Sequence, residues 1–206
     1  MQIAILLFDD VTALDAVGPY EVLSRIPGAT VTWAASTPGP KKAKGGLTLV
    51  ADRRLEDVPD PQIVLVPGGS GVDKTMQDPA VIRWIRAVDE TSRFTTAVCT
   101  GALILGQAGL LRGLKVTTHW NYRERLAAFG AVVLTDRVVR EGKIVTAAGV
   151  SAGIDMALRL VQWTAGDRAA QAIQLGIEYD PDPPFDAGSP EKAPPDIVEM
   201  LRDARR

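Results

Sequence analysis

FTTAVCTGALILGQ, residues 94–107, decides the fold. Its first five residues are β-branched or apolar, the composition of a strand covered on both faces. From Gly101 onward, small and aliphatic residues open a helix that is predicted to close near Gly109. Only Cys99 and Thr100 separate the two segments. A strand that passes into a helix within two residues must turn sharply, and the residue at the turn is lifted clear of the sheet.

Working outward, the same alternation repeats. Residues 3–8, IAILLF, and 63–66, IVLV, are continuous apolar runs that predict core strands. A helical pattern over 13–26 follows the first run, with Leu14, Val17, Val22 and Leu23 as its apolar positions and Pro19 near its first turns. Residues 29–35 read as another strand, and 47–50 as a weak one. Asp78-Pro79 opens a helix to about residue 92, aspartate as N-cap and proline at N1. Downstream, 116–118, 132–134 and 143–146 read as strands, with a turn at Glu141-Gly142, and 122–129 as a helix. Ser151 is positioned to cap a helix over 152–163, and a further helix is predicted over 167–178. The stretch YDPDPPFDAGSPEKAPPD is rich in proline and acid, with Tyr179 and Phe185 as its available anchors, and 197–204 reads as a last short helix. Strands alternating with helices, and strands apolar throughout, predict an α/β fold: an open, mostly parallel sheet with helices on both faces.

Composition narrows the function. The chain has 206 residues, 46% of them hydrophobic, enough for one sizeable core. A formal net charge of −2 predicts no broad affinity for nucleic acid or for an anionic membrane. KKAK at 41–44 reads as a solvated loop rather than a phosphate-binding patch. One cysteine and one histidine cannot form a disulfide or a Cys/His zinc cage within one chain. The first residues lack the basic region and apolar length of a signal or a membrane span. A cytoplasmic protein is expected.

In open α/β sheets, chemistry collects at the carboxyl ends of the strands. Three features fall there: Asp15, the Pro67-Gly68-Gly69-Ser70-Gly71 loop, and Cys99. At the N-terminus of a helix, free N–H groups favour thiolate and lower a cysteine pKa; a buried cysteine that merely fills the core is the plainer alternative. Asp15 either serves the dipole of its helix or points into the crevice, where it would share a proton with the thiol. Glu21 is expected at the surface. The loop lacks the third glycine of a dinucleotide fingerprint. It is a tight turn, or it offers N–H groups to a ligand. His119, in TTHW, is a candidate base for Cys99 or a packed aromatic.

VCTGALILGQAGLLRGLKVTTHW, with LFDDVTALDAVGPYEVL, LVPGG and GVSAGID, resembles the ThiJ/PfpI superfamily of class I glutamine-amidotransferase-like proteins, and within it the isocyanide hydratase branch. The similarity extends to AAQAIQLGIEYDPDPPFDAGSPE. It implies a single-domain, flavodoxin-like three-layer sandwich with a nucleophile elbow, residues 1–180 forming the domain and 181–206 a Pro-rich tail with a short helix. It implies Cys99 as nucleophile, with Asp15 and Thr100 as its catalytic partners. The backbone of Gly68, Gly69 and Val150 would hold substrate or developing charge, and His119 is a further candidate. It implies hydration of isocyanides to N-substituted formamides, no metal, no cofactor and a homodimer. The protease and glyoxalase branches place histidine after the nucleophile; Thr100 stands there instead, which argues against peptidase chemistry. Those hydratases are glycine-rich before the last long helix, whereas this chain reads Thr146-Ala147-Ala148-Gly149-Val150, a change that bears on pocket shape. Two alternatives remain open at this point: a ligand-sensing domain without turnover, and a stress protein in which Cys99 is oxidised. A DNA-reading regulator of the superfamily is not expected, because only the tail and the short helix follow the domain.

Overall fold

The computed structural model describes residues 1–203. In chain order the strands are β1 (Gln2–Leu6), β2 (Thr30–Ala35), β3 (Gly39–Lys42), β4 (Thr48–Ala51), β5 (Arg53–Arg54), β6 (Ile63–Val66), β7 (Phe94–Val98), β8 (Lys115–Val116), β9 (Val132–Val133), β10 (Val138–Glu141) and β11 (Ile144–Ala147). The helices are α1 (Ala13–Leu23), α2 (Val72–Met76), α3 (Pro79–Thr91), α4 (Gly101–Gln107), α5 (Arg123–Ala127), α6 (Ala152–Ala165), α7 (Asp167–Gly176) and α8 (Pro195–Asp203).

Seven strands form one sheet in the order β10-β11-β7-β6-β1-β2-β5. Every pairing is parallel except the β10–β11 hairpin at one edge. Residues of α1 and α6 pack with Ile3, Ile5 and Leu65 on one face. Residues of α2, α3, α4 and α5 pack with Ala4, Leu6 and Val64 on the other. The result is the three-layer α/β sandwich expected, and it explains why β1 from Ile3 onward, β6 and β7 are buried at both alternate positions, Thr95 and Thr96 of β7 being their polar members.

The elbow depends on one close approach. A Cβ on Gly101 would lie 2.1 Å from the Val66 carbonyl oxygen, so only glycine lets α4 start against β6. The N-cap expected at Asp78 is present, its carboxylate accepting the Ala80 N–H at 2.8 Å.

Several local expectations change. Helix α1 stops at Leu23, and Pro19 is its seventh residue, in the interior rather than the first turns. Its ring sits against α6, where a Cβ on Gly153 would be 3.0 Å from Pro19 Cγ. Leu14 is exposed and Val17 half-exposed; the buried face of α1 is Asp15, Ala16, Pro19, Val22 and Leu23. The 116–118 strand ends at Val116, because the Thr117 N–H turns to the Thr146 hydroxyl oxygen. The hairpin turn is Gly142-Lys143, since Glu141 pairs with Ile144. Ser151 occupies the N-cap position of α6 without a capping bond; its hydroxyl accepts from Arg137 instead. Tyr179 does anchor the tail, donating to Asp155 Oδ1 at 3.2 Å, whereas Phe185 lies exposed. The last helix is described from Pro195 to Asp203, and position 204 of the predicted span lies outside the described residues.

Candidate active site

Strand β7 ends at Val98 and places Cys99 at the bend. Cys99 has φ +57°, a left-handed conformation that non-glycine residues adopt only when the surroundings hold them there. Three hydrogen bonds do the holding. The Cys99 N–H is shared between the carbonyls of Ala147 and Ala148, at 3.1 and 2.9 Å. The Cys99 carbonyl accepts the Thr118 hydroxyl at 2.7 Å. The elbow is thereby tied to the end of β11 and to the segment after β8.

Two further segments converge on it. Asp15, in the first turn of α1, has no accessible surface. Its Oδ2 accepts the Gly68 N–H at 2.9 Å. Thr100 Oγ1 accepts the Gly69 N–H at 2.9 Å and lies 3.3 Å from the Gly69 carbonyl, to which it donates. The glycines are needed here for space: a Cβ on Gly68 would lie 2.5 Å from Thr100 Oγ1 and 2.9 Å from Asp15 Oδ2. In this structure the N–H groups of Gly68 and Gly69 are engaged by Asp15 and Thr100, and through these bonds the loop orients the catalytic candidates. Val150 lies two residues beyond Ala148 and packs, half-buried, against the core cluster that contains Cys99.

Asp15 Oδ1 is buried and meets no hydrogen-bond donor of standard geometry. The Cys99 thiol is the side chain near enough to interact with this carboxyl. Burial pushes the Asp15 carboxyl up to about 7, against the opposing pull of the Gly68 N–H and the thiol. Burial also pushes the Cys99 thiol far above its usual range, and the Asp15 carboxylate adds to this; the Thr100 N–H and hydroxyl work the other way without winning. The expected thiolate-favouring environment is therefore absent in the resting pair. α4 is only seven residues long, and the loss of hydration at Cys99, a residue 5% exposed, outweighs its terminal N–H groups. The carboxyl and the thiol titrate as a coupled pair: when Asp15 is protonated, the charge that opposes thiolate formation disappears.

His119 is placed differently. Its ring stacks on Trp120 at 5.7 Å between centroids and meets the Tyr122 ring edge-on at 5.9 Å. Its Nδ1 accepts the Asn121 N–H at 3.3 Å. After burial, the groups that act on the ionisation of Cys99 are Asp15 and Thr100. Glu21 pairs with Arg25 on the exposed side of α1, the surface position expected. The residue that sequence reasoning missed is Thr118. Its one visible signal is a hydroxyl in TTHW just after a predicted strand, and a β-branched residue there reads as strand.

The family model for the DJ-1/PfpI family matches residues 1–163. The chain belongs to the DJ-1/PfpI family. Among its relatives, this DJ-1/PfpI chain is 44% identical to an isonitrile hydratase of Pseudomonas putida over 98% of its own length and 89% of that protein. It is 29% identical to the HTH-type transcriptional regulator CdhR of Pseudomonas aeruginosa, matching 81% of this chain and 50% of the regulator. The crystal structure of a ThiJ/PfpI family protein from Pseudomonas syringae superposes with a TM-score of 0.96 at 36% identity, covering 98% of this DJ-1/PfpI chain and 85% of that one. Among the described residues, no helix is long and apolar enough to cross a membrane.

Proposed function

We propose that the protein hydrates isocyanides to N-substituted formamides through a covalent intermediate on Cys99. The observation that carries this reading is Asp15: a fully buried carboxyl, fixed through Oδ2 by the Gly68 N–H, its Oδ1 unpartnered, and its ionisation balanced near neutrality beside the thiol. A group with those properties both gives and takes a proton. The 44% identity to an isonitrile hydratase supports the choice of substrate class.

The thiol proton passes to Asp15. The sulfur then bonds to the terminal carbon of R–N≡C, and Asp15 returns the proton to that same carbon. The product is a thioimidate, R–N=CH–S–Cys99. Asp15, again a carboxylate, takes a proton from water as the hydroxide adds to the carbon, and passes it to nitrogen. The tetrahedral adduct, R–NH–CH(OH)–S–Cys99, loses its hydroxyl proton to Asp15 and expels the thiolate. R–NH–CHO leaves, and Asp15 returns its proton to the Cys99 thiolate, which restores the starting pair. The nucleophile divides one difficult hydration into two easier additions. Thr100, anchored on Gly69, steadies the thiolate through its N–H and hydroxyl, and the Val150 backbone is the remaining candidate for contact with the intermediate.

Turnover of a simple aryl isocyanide, followed as formamide production, tests the reading. Cys99→Ala is expected to lose about 10³-fold or more in kcat/KM, and rapid-quench mass spectrometry of the wild type is expected to show a substrate-derived adduct on Cys99. Normal turnover in the alanine variant would rule out the covalent route. Binding without turnover in the wild type would return the protein to a sensing role.

A further inference from the structure

The Cys99 N–H is held by the carbonyls of Ala147 and Ala148, so the bend at the nucleophile is only as firm as the turn that follows β11. Residues 148–151 make that turn, between the end of β11 and the start of α6. The Ala148 carbonyl lies at its entry. The Val150 backbone, a candidate for contact with the intermediate, lies within it.

Arg137 grips this turn at both ends. Its carbonyl oxygen accepts the Ala148 N–H at 2.9 Å, one step beyond the Val138–Ala147 rung of the β10–β11 hairpin. Its guanidinium reaches past the turn to α6. Nε donates to Asp155 Oδ2, and Nη2 donates to the Ser151 hydroxyl at 3.1 Å. Residues 151 and 155 are four apart, on one face of the helix, so a single planar fork spans them. Asp155 is fixed from its other side by the Tyr179 hydroxyl, which donates to Oδ1 at 3.2 Å. Ser151 stands at the N-cap of α6, where a serine hydroxyl ordinarily accepts an N–H from the first turn of the helix. It makes no such bond and accepts from Arg137 instead, so a cap is given up for the brace.

Stability alone does not account for this arrangement. Arg137 and Ser151 are exposed and Asp155 is half-buried, and ion pairs in that setting contribute little to folding. Nor does Arg137 reach the thiol through its charge: after burial, the groups that act on Cys99 are Asp15 and Thr100. Its effect is geometric. We propose that Arg137 is a positioning residue for the Cys99 reaction, a brace that joins Ala148 to Ser151 and Asp155 and so fixes the Ala148 carbonyl and the Val150 backbone around the nucleophile. The effect on turnover rests on Cys99 being the nucleophile toward isocyanides; the effect on the thiol itself does not.

Arg137→Met keeps the aliphatic stem and the main-chain bond and removes the fork. Its kcat for an aryl isocyanide is expected to fall about tenfold, with KM within about twofold and the urea midpoint unchanged, because a small displacement at the reacting group costs rate rather than binding. Ser151→Ala removes one arm of the fork at an exposed position and is expected to lose less. The double variant is expected to lose no more than Arg137→Met alone, since both changes cut the same brace. Arg140→Met is the control for lost charge: this exposed arginine of the same hairpin lies over the Trp163 ring, and its removal is expected to leave kcat unchanged. Alkylation of Cys99 by iodoacetamide, read by intact mass on the one cysteine of the chain, is the second readout and needs no isocyanide. Burial is the main force holding the thiol protonated, so a loosened bend admits water to the sulfur. Arg137→Met is therefore expected to alkylate about threefold faster or more while turning over more slowly. Unchanged kcat in Arg137→Met would overturn the proposal, as would a fall in kcat that Arg140→Met reproduces or that accompanies a lowered urea midpoint. A wild type that does not turn over isocyanides would overturn the proposed function and leave the alkylation rates to decide the role of Arg137, equal rates in wild type and Arg137→Met overturning it.

Discussion

A carboxyl group with no accessible surface is normally a liability, and Asp15 has its energetic sign written into the fold. In an unfolded chain an aspartate titrates near 4; in the folded protein Asp15 is held at about 7 by burial. Between those pH values the folded state binds the extra proton. Stability contributed by this group is therefore full below pH 4, declines as pH rises through 7, and is lost above it, a difference of about 4 kcal/mol. Asp15→Asn keeps an oxygen for the Gly68 N–H and removes the ionisation. It is expected to match the wild type near pH 4 and to exceed it by a few kcal/mol at pH 8, by denaturant unfolding at the two pH values. Isocyanide hydration is expected to fall by about 100-fold or more. A stability difference that does not change with pH would mean that the carboxyl is not held up by burial. This burial is not legible in the sequence. An acidic residue in a first turn is what the dipole of any surface helix favours, and the partner that makes the buried position tolerable, Gly68, lies 53 residues away.

At the scale of elements, the elbow is a junction of backbones, and two substitutions probe it. Gly101→Ala would drive a methyl group into the Val66 and Pro67 carbonyl oxygens, at 2.1 and 2.8 Å. Because those atoms belong to β6 and its exit, they cannot swing aside. A loss of about 3 kcal/mol or more is expected, against no measurable loss for Gly188→Ala, where an added methyl meets nothing within 4 Å. Thr118→Val removes the shorter of two bonds to the buried Cys99 carbonyl and leaves it only the 3.5 Å bond from the Ala102 N–H, a cost of about 1 kcal/mol. If the hydroxyl holds the strained bend in register, kcat falls while KM stays, and Thr118→Ser restores it. The apolar runs of β1 and β6 are legible because a sheet covered on both faces favours apolar residues at alternate and intervening positions alike; β7 keeps Thr95 and Thr96, whose hydroxyls are hydrogen-bonded. Residues 117–118 are not, because β-branched threonine reads as strand while both residues spend polar groups elsewhere, on Thr146, Leu134 and Cys99. For Gly68 and Gly69 the sequence locates the loop but not the partners of its N–H groups. Glycine spacing shows that a backbone can approach closely, and it leaves open which side chain that backbone meets.

Across the whole molecule, the sheet sets where everything else can attach. Its carboxyl edge holds the Cys99–Asp15 pair, as expected of an open parallel sheet. The homodimer implied by the resemblance stands as a proposal, and the outward face of α1 is its natural seam: Leu14 is 43% exposed on the same turn that buries Asp15. Light scattering is expected to report twice the monomer mass, and Leu14→Asp to shift it toward monomer; a wild-type monomer at micromolar concentration would remove the dimer without touching the Cys99 chemistry. The end strands bear on the same question. β5 has only two residues, both exposed arginines, and β10 pairs antiparallel with β11 and presents Arg140 to water. At the β5 end, a margin so brief and so cationic gives an incoming chain almost no ladder to extend and a repulsive one to approach. Joining of sheets across that end is thereby discouraged.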